Sequence, residues 1–315
     1  MARTPTTDKR PLLSYLRVQE AWEKDALFMM KKSAAAIAPE LRRLERSGMI
    51  GDRIRADQLR LAQRAILEEQ GRLWQAIGSS VQTAKAEAAA AAVEALHVYD
   101  DMLLTTVYTP LQRDALLRAA QAQARRGVDN AMSRFKGYSK IPLSDQVWRT
   151  KAFSNDLIDR RIHEALATGK SARELAASVR DLIRPDTPGG VKYAAMRLGR
   201  TEINNAAHAT TVRQNAKKPW VTGMRWELSG SHPKPDDCNA YAEESHYPGG
   251  PEGVFLPEEV PEKPHPNCLC YIIPEMVTDE EFIDQFASGK YDEYLDGVMS
   301  DAGYPPLPKV PTRCP

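Results

Sequence analysis

Three of the four cysteines in this chain, Cys238, Cys268 and Cys270, flank one irregular stretch, and that clustering constrains the fold more than any other feature. The stretch is rich in Pro and Gly, including Tyr247-Pro-Gly-Gly-Pro251, and it separates two strand-like runs. A connection that long is uncommon in a compact domain unless something fastens it. Cys268-Leu-Cys270 sets two sulfurs on one face of an extended segment. His265 precedes them between Pro264 and Pro266, and Cys238 comes from the far end of the loop. Cys238, His265, Cys268 and Cys270 form a Cys₃His set, the donor chemistry of tetrahedral structural zinc. Metal binding would offset the entropy of closing the loop. The alternative is three buried, protonated thiols with His265 packed in a turn. A C-x₂-C knuckle would need a cysteine where Tyr241 stands; His232, Asp236 and Asp237 are further candidate ligands.

The flanks of the loop follow from periodicity. Val191 to Ala216 reads as one helix, with Met196, Gly199, Ile203 and Ala207 on its apolar face. Arg200, Asn204 and His208 recur at four-residue steps and so share a face. That row is either a polar site or, in the reading favoured here, a structural device in which Arg200 and Glu202 tie the helix to the sheet that follows. Val221–Leu228 alternates with a strand period through Thr222, Met224, Trp226 and Leu228, and Leu269–Ile273 is the second strand. Thr278-Asp-Glu-Glu281 is a capping box opening a short acidic helix that ends near Gly289.

The preceding half is helical by the same criteria. One helix spans about 12–47, with Pro39 as a candidate interruption. A second runs from about Asp52 toward Thr106, with Leu59, Ile66 and Leu73 repeating every seven residues and a break expected near Gly78-Ser79-Ser80. Its narrow stripe, followed by the Ala/Glu-rich run 84–95, predicts packing against other chains rather than an internal core. Thr109-Pro110 opens a third helix reaching about Phe135, and Gly137 to Pro142 is a loop. Helical stretches follow over 147–153 and 156–167, and Ser171-Ala-Arg-Glu174 caps another that ends before Pro185 and the turn 186–190. The fold class expected is therefore mainly α with a small α+β C-terminal module: long N-terminal helices, a short antiparallel sheet, a zinc-pinned loop and an extended Pro-rich tail, 304–315, carrying the isolated Cys314.

Composition limits the function classes. The chain has 315 residues, 42% hydrophobic and 27% charged, and no apolar run approaches the roughly 20 residues a bilayer needs. The N-terminus lacks a signal-peptide core, so a reducing compartment is expected and a disulfide framework is not. Residues 1–150 carry 24 basic and 17 acidic side chains, against 19 and 25 in 151–315. A basic half can meet nucleic acid, but acids are interspersed throughout it.

Arg200-Thr201-Glu202 on a helix, a Trp-bearing strand, Asp236-Asp237-Cys238, a Pro-rich loop and finally His265-Pro-Asn-Cys268-Leu-Cys270 resemble the phage head-morphogenesis family, which includes the F-like minor head protein of phage Mu. Gly169-Lys-Ser171 and Glu174-Leu-Ala also resemble it. The match covers about residues 150–275, and Tyr241 departs from it where many relatives carry another cysteine. The resemblance implies a minor capsid protein in the virion, inside the capsid near the portal vertex, and in the host cytoplasm during assembly. Its implied partners are the portal protein, the major capsid protein, other copies of itself and packaged DNA, with no membrane and no enzymatic activity. On this reading 1–145 is a helical docking region, 146–275 the family module, and 276–315 an acidic helix with a Pro-rich tail. A metal-dependent nuclease or a DNA-binding packaging factor are the competing functions.

Overall fold

The structure is a computed structural model that describes residues 11–47, 56–134, 143–168, 171–183, 190–230, 232 and 235–307. After a 3-10 turn, Pro11–Leu13, come six long helices: α1 (Tyr15–Ser47), α2 (Ala56–Leu104), α3 (Pro110–Arg134), α4 (Leu143–Ala167), α5 (Ala172–Ile183) and α6 (Val191–Asn215). Then follow β1 (Val221–Glu227), α7 (Asp237–Glu243), β2 (Val254–Phe255), β3 (Tyr271–Met276), α8 (Asp279–Ala287) and α9 (Asp292–Asp301). The mainly α class with one small antiparallel sheet is as expected. The expected loops at 137–142 and 186–189, the tail beyond 307 and Cys314 lie outside the described residues.

The chain forms two compact units, each drawn from separated segments. One comprises 1–18, 85–138 and 203–315; the other comprises 19–84 and 139–202. These do not follow the segments 1–145, 146–275 and 276–315. α4 and α5 lie in the same unit as the first part of α2, and α8 and α9 in the same unit as α3.

In the second unit the heptad stripe has an internal partner. Leu59, Ala62 and Ile66 are buried with Ile37, Leu41 and Leu44 of α1, Ile158 and Ile162 of α4, and Leu175 and Val179 of α5. The expectation that this stripe packs on other chains is therefore corrected: α4 and α5 supply the apolar surface that a narrow stripe needs. No break occurs at Gly78-Ser79-Ser80. Ser80 Oγ bonds to the Ile77 carbonyl and accepts from Trp22 Nε1, at 2.9 and 3.1 Å, so the polar pair is satisfied inside the helix pair. Pro39 likewise sits inside a continuous α1, and the stretches expected over 147–153 and 156–167 are one helix. Arg200 forks Glu23 of α1 at 2.7 and 2.8 Å. It is structural, as favoured, but its tie is to a helix and not to the sheet.

In the first unit the sheet order is β2-β1-β3, antiparallel throughout. Met224 pairs with Phe255 and Trp226 with Ile272, so alternate residues of β1 face one core. That core holds Met224, Trp226, Phe255 and Ile272 together with Cys238, Cys268 and Cys270. A second cluster gathers Tyr108 just before α3, Leu116 of α3, Trp220 just before β1, Phe282 of α8, and Tyr291 and Leu295 at the cap and in the body of α9. Buried Lys218 and Asp100 meet at 2.7 Å, and Trp220 Nε1 donates to the same carboxylate at 3.3 Å. Among the described residues no helix is long and apolar enough to cross a membrane.

Candidate metal centre

The loop between β1 and β3 is short of regular structure but built from local hydrogen bonds. Asp236 caps α7: its side chain accepts from Cys238 N at 2.8 Å, while Asn239 Oδ1 accepts from Asp236 N at 3.1 Å. The cap orients the first turn so that Cys238 is buried under the sheet and Asp237 stays exposed. Gly253, at φ 71°, passes so close to Ala242 that a Cβ there would lie 2.5 Å from its carbonyl oxygen. Only glycine suits that crossing. At the far end Asn267 adopts φ 59°, a left-handed conformation that Asn tolerates better than other side chains. This turn reverses the chain between His265 and Cys268.

The result is convergence. Cys238 Sγ lies 3.4 Å from His265 Nε2 and 3.5 Å from Cys268 Sγ. The ligand atoms of Cys238, His265 and Cys268 all lie within 4.8 Å of one another, a group that could hold a metal ion. The edge of a tetrahedron built on zinc–sulfur bonds is about 3.8 Å, so the spacing is of coordination size. His265 Nδ1 is 3.0 Å from the Pro266 carbonyl, which fixes a proton there and turns Nε2 toward the sulfurs. Nε2 is also 3.0 Å from Asp236 Oδ2; a protonated ring would pair with both neighbours, and a metal would replace that proton.

Cys270 is outside this trio but buried in the same core cluster as Cys238 and Cys268. Its sulfur receives Ser229 N–H at 3.5 Å and lies 3.8 Å from His232 Nδ1, whose Nε2 bonds Asn239 Oδ1 at 2.9 Å. Three of the four expected site residues, Cys238, His265 and Cys268, therefore converge, Cys270 is buried beside them, and Asp237 is turned away. Hydrogen bonds from Cys238 and then Cys268 hold the Cys270 thiol well below its ordinary pKa. The hydrogen bond to Cys268, then that to Cys270, then burial push Cys238 far above it.

Two contributors escape sequence reasoning. Lys263 is buried, and its Nζ donates to the Cys268 carbonyl at 3.0 Å. A lysine in a polar, Pro-rich loop signals exposure, not burial. Asn267 carried no signal beyond its place between Pro266 and Cys268. No family model, curated protein or solved structure matches the chain.

Proposed function

We propose that this chain is a structural minor capsid protein of a tailed phage, associated with the portal inside the head and supporting procapsid assembly, DNA packaging or ejection. The observation that carries the reading is the meeting of Cys238 with His265 and Cys268. These residues stand at opposite ends of the Pro-rich loop inside the segment that resembles the head-morphogenesis family, and their convergence pins that loop. The pinning ion on this reading is zinc, since thiolate and imidazole are the donors zinc takes in closed, structural sites. Its role is folding energy, not chemistry. With Leu59 and Ile66 buried inside the chain, docking on the portal falls to other surfaces.

A reconstruction of isolated head vertices should place a few copies of this chain at the portal; its absence from purified virions would overturn the reading. Chelator-sensitive cleavage of plasmid DNA would instead indicate a metal-dependent nuclease, which needs an open metal position for an activated water. Salt-dependent DNA binding by the purified chain would favour a DNA-binding packaging factor.

A further inference from the structure

A cavity beside α6 is built without any of Cys238, His265, Cys268 or Cys270. Its volume is about 350 Å³, within the roughly 300–1,000 Å³ of small-molecule sites. Asn205, His208, Ala209 and Val212 form one side of it, at spacings that put them on one face of the helix. Pro257 and Val260, from the segment after β2, form the other. All of these residues belong to the same compact unit. Two polar side chains in this wall lack partners. Asn205 is 5% exposed and His208 8%, and neither Asn205 Nδ2 nor His208 Nδ1 has a hydrogen-bond partner among the described residues. Buried polar groups are nearly always satisfied, so the pair marks a place where a ligand supplies what the fold does not.

The two atoms define the chemistry of that ligand. Asn205 Nδ2 is a donor. His208 Nε2 lies 2.9 Å from the Pro261 carbonyl, which only accepts, so Nε2 carries the ring proton. Burial keeps the ring neutral, and Nδ1 is therefore an acceptor. Residues three apart on a helix are neighbours, with about 5–6 Å between their Cβ atoms, so one planar group can meet both. It must set an acceptor toward Asn205 beside a donor toward His208. A carboxamide does this: its carbonyl accepts and its N–H donates. A carboxylate would bring an oxygen against the Nδ1 lone pair, and a ketone supplies no donor. The apolar side chains of Ala209, Val212, Pro257 and Val260 take the rest of the molecule. We propose that this cavity binds a small, neutral carboxamide with an apolar body, held by Asn205 and His208. The site goes beyond the capsid reading and does not depend on a metal.

The test uses the full chain and the ring probes benzamide, acetophenone and benzoate, which share one size and differ in hydrogen bonding. Each is titrated by ligand-observed NMR. Benzamide should bind. Acetophenone, which lacks the donor, should bind about fivefold more weakly, the worth of one neutral hydrogen bond, and benzoate more weakly still. Asn205→Ala should weaken benzamide binding by about the same fivefold. Ala209→Leu exchanges one good helix former for another and fills the cavity from its wall, so it should abolish benzamide binding; it remains informative if Asn205→Ala does not fold. Equal affinities for benzamide and acetophenone overturn the donor–acceptor pairing. Benzoate binding as tightly as benzamide overturns the neutral class. Benzamide binding unchanged in Ala209→Leu overturns the location, and no benzamide binding at millimolar concentration overturns the site. The capsid reading is tested separately, by the content of virions, and stands or falls without these results.

Discussion

His208 is a neutral imidazole enclosed by the module. Its Nε2 lies 2.9 Å from the Pro261 carbonyl, and its ring meets the Trp226 edge at 5.4 Å. Burial, with the Lys263 charge second, lowers its pKa from the ordinary 6.5 to about 3. Between those values the unfolded chain binds a proton that the folded chain refuses. Stability from this residue is thus present above about pH 6.5 and is lost as pH falls toward 3. The expected loss between pH 7.5 and 5.5 is about 1.4 kcal/mol. Urea midpoints across that range should show the decline, and His208→Gln should flatten it; an equal slope in the variant would mean another group is responsible. The Lys218–Asp100 pair makes a second residue-scale prediction. Both side chains are 6% exposed, so Lys218→Met strands a buried carboxylate. The cost should be about 3–5 kcal/mol in urea unfolding, and replacing both residues by apolar ones should recover most of it.

The helices differ in how much of their packing is local. Caps are local, and those at Ser171 and Thr278 form as written: Glu174 bonds Ser171 N at 2.8 Å, and Glu281 bonds Thr278 N at 2.9 Å. Short elements were not legible. α7 and α9 have 7 and 10 residues, and β2 has 2, too few to show a period against a Pro- and Gly-rich background. Close helix crossings were not legible either. At Gly199 a Cβ would fall 2.0 Å from the Trp22 ring, so α6 and α1 meet only because a hydrogen stands there. Gly199→Ala gains helix propensity of about 1 kcal/mol but forces Trp22 out of place. A net loss of about 1–3 kcal/mol is expected from overpacking, together with a change in Trp22 fluorescence. A stabilised variant would contradict the crossing.

At the scale of the molecule, the metal centre belongs to one of the two compact units. Removing metal should therefore act selectively. After chelation, amide hydrogen exchange is expected to rise across 228–276, because binding free energy is part of that region's folding free energy. Helices of the unit formed by 19–84 and 139–202 should keep their protection. Loss of protection there to the same extent would mean the chain unfolds as one cooperative body. Cys268→Ser should reproduce the chelated pattern without added chelator.

Periodicity and capping chemistry determined the helical class, the order of the long helices, the strand around Trp226 and the meeting of Cys238, His265 and Cys268, because each depends on neighbours in sequence or on donors of unmistakable chemistry. Tertiary structure decided what those elements bury. The Leu59 and Ile66 stripe looked like an interface until α4 and α5 covered it. Arg200 looked like a link to the sheet until Glu23 was beside it. Lys263 looked like a surface residue until the loop folded it under Cys268. In each case the deciding partner is distant along the chain, and burial is a property of the pair that meets, which no local spacing encodes.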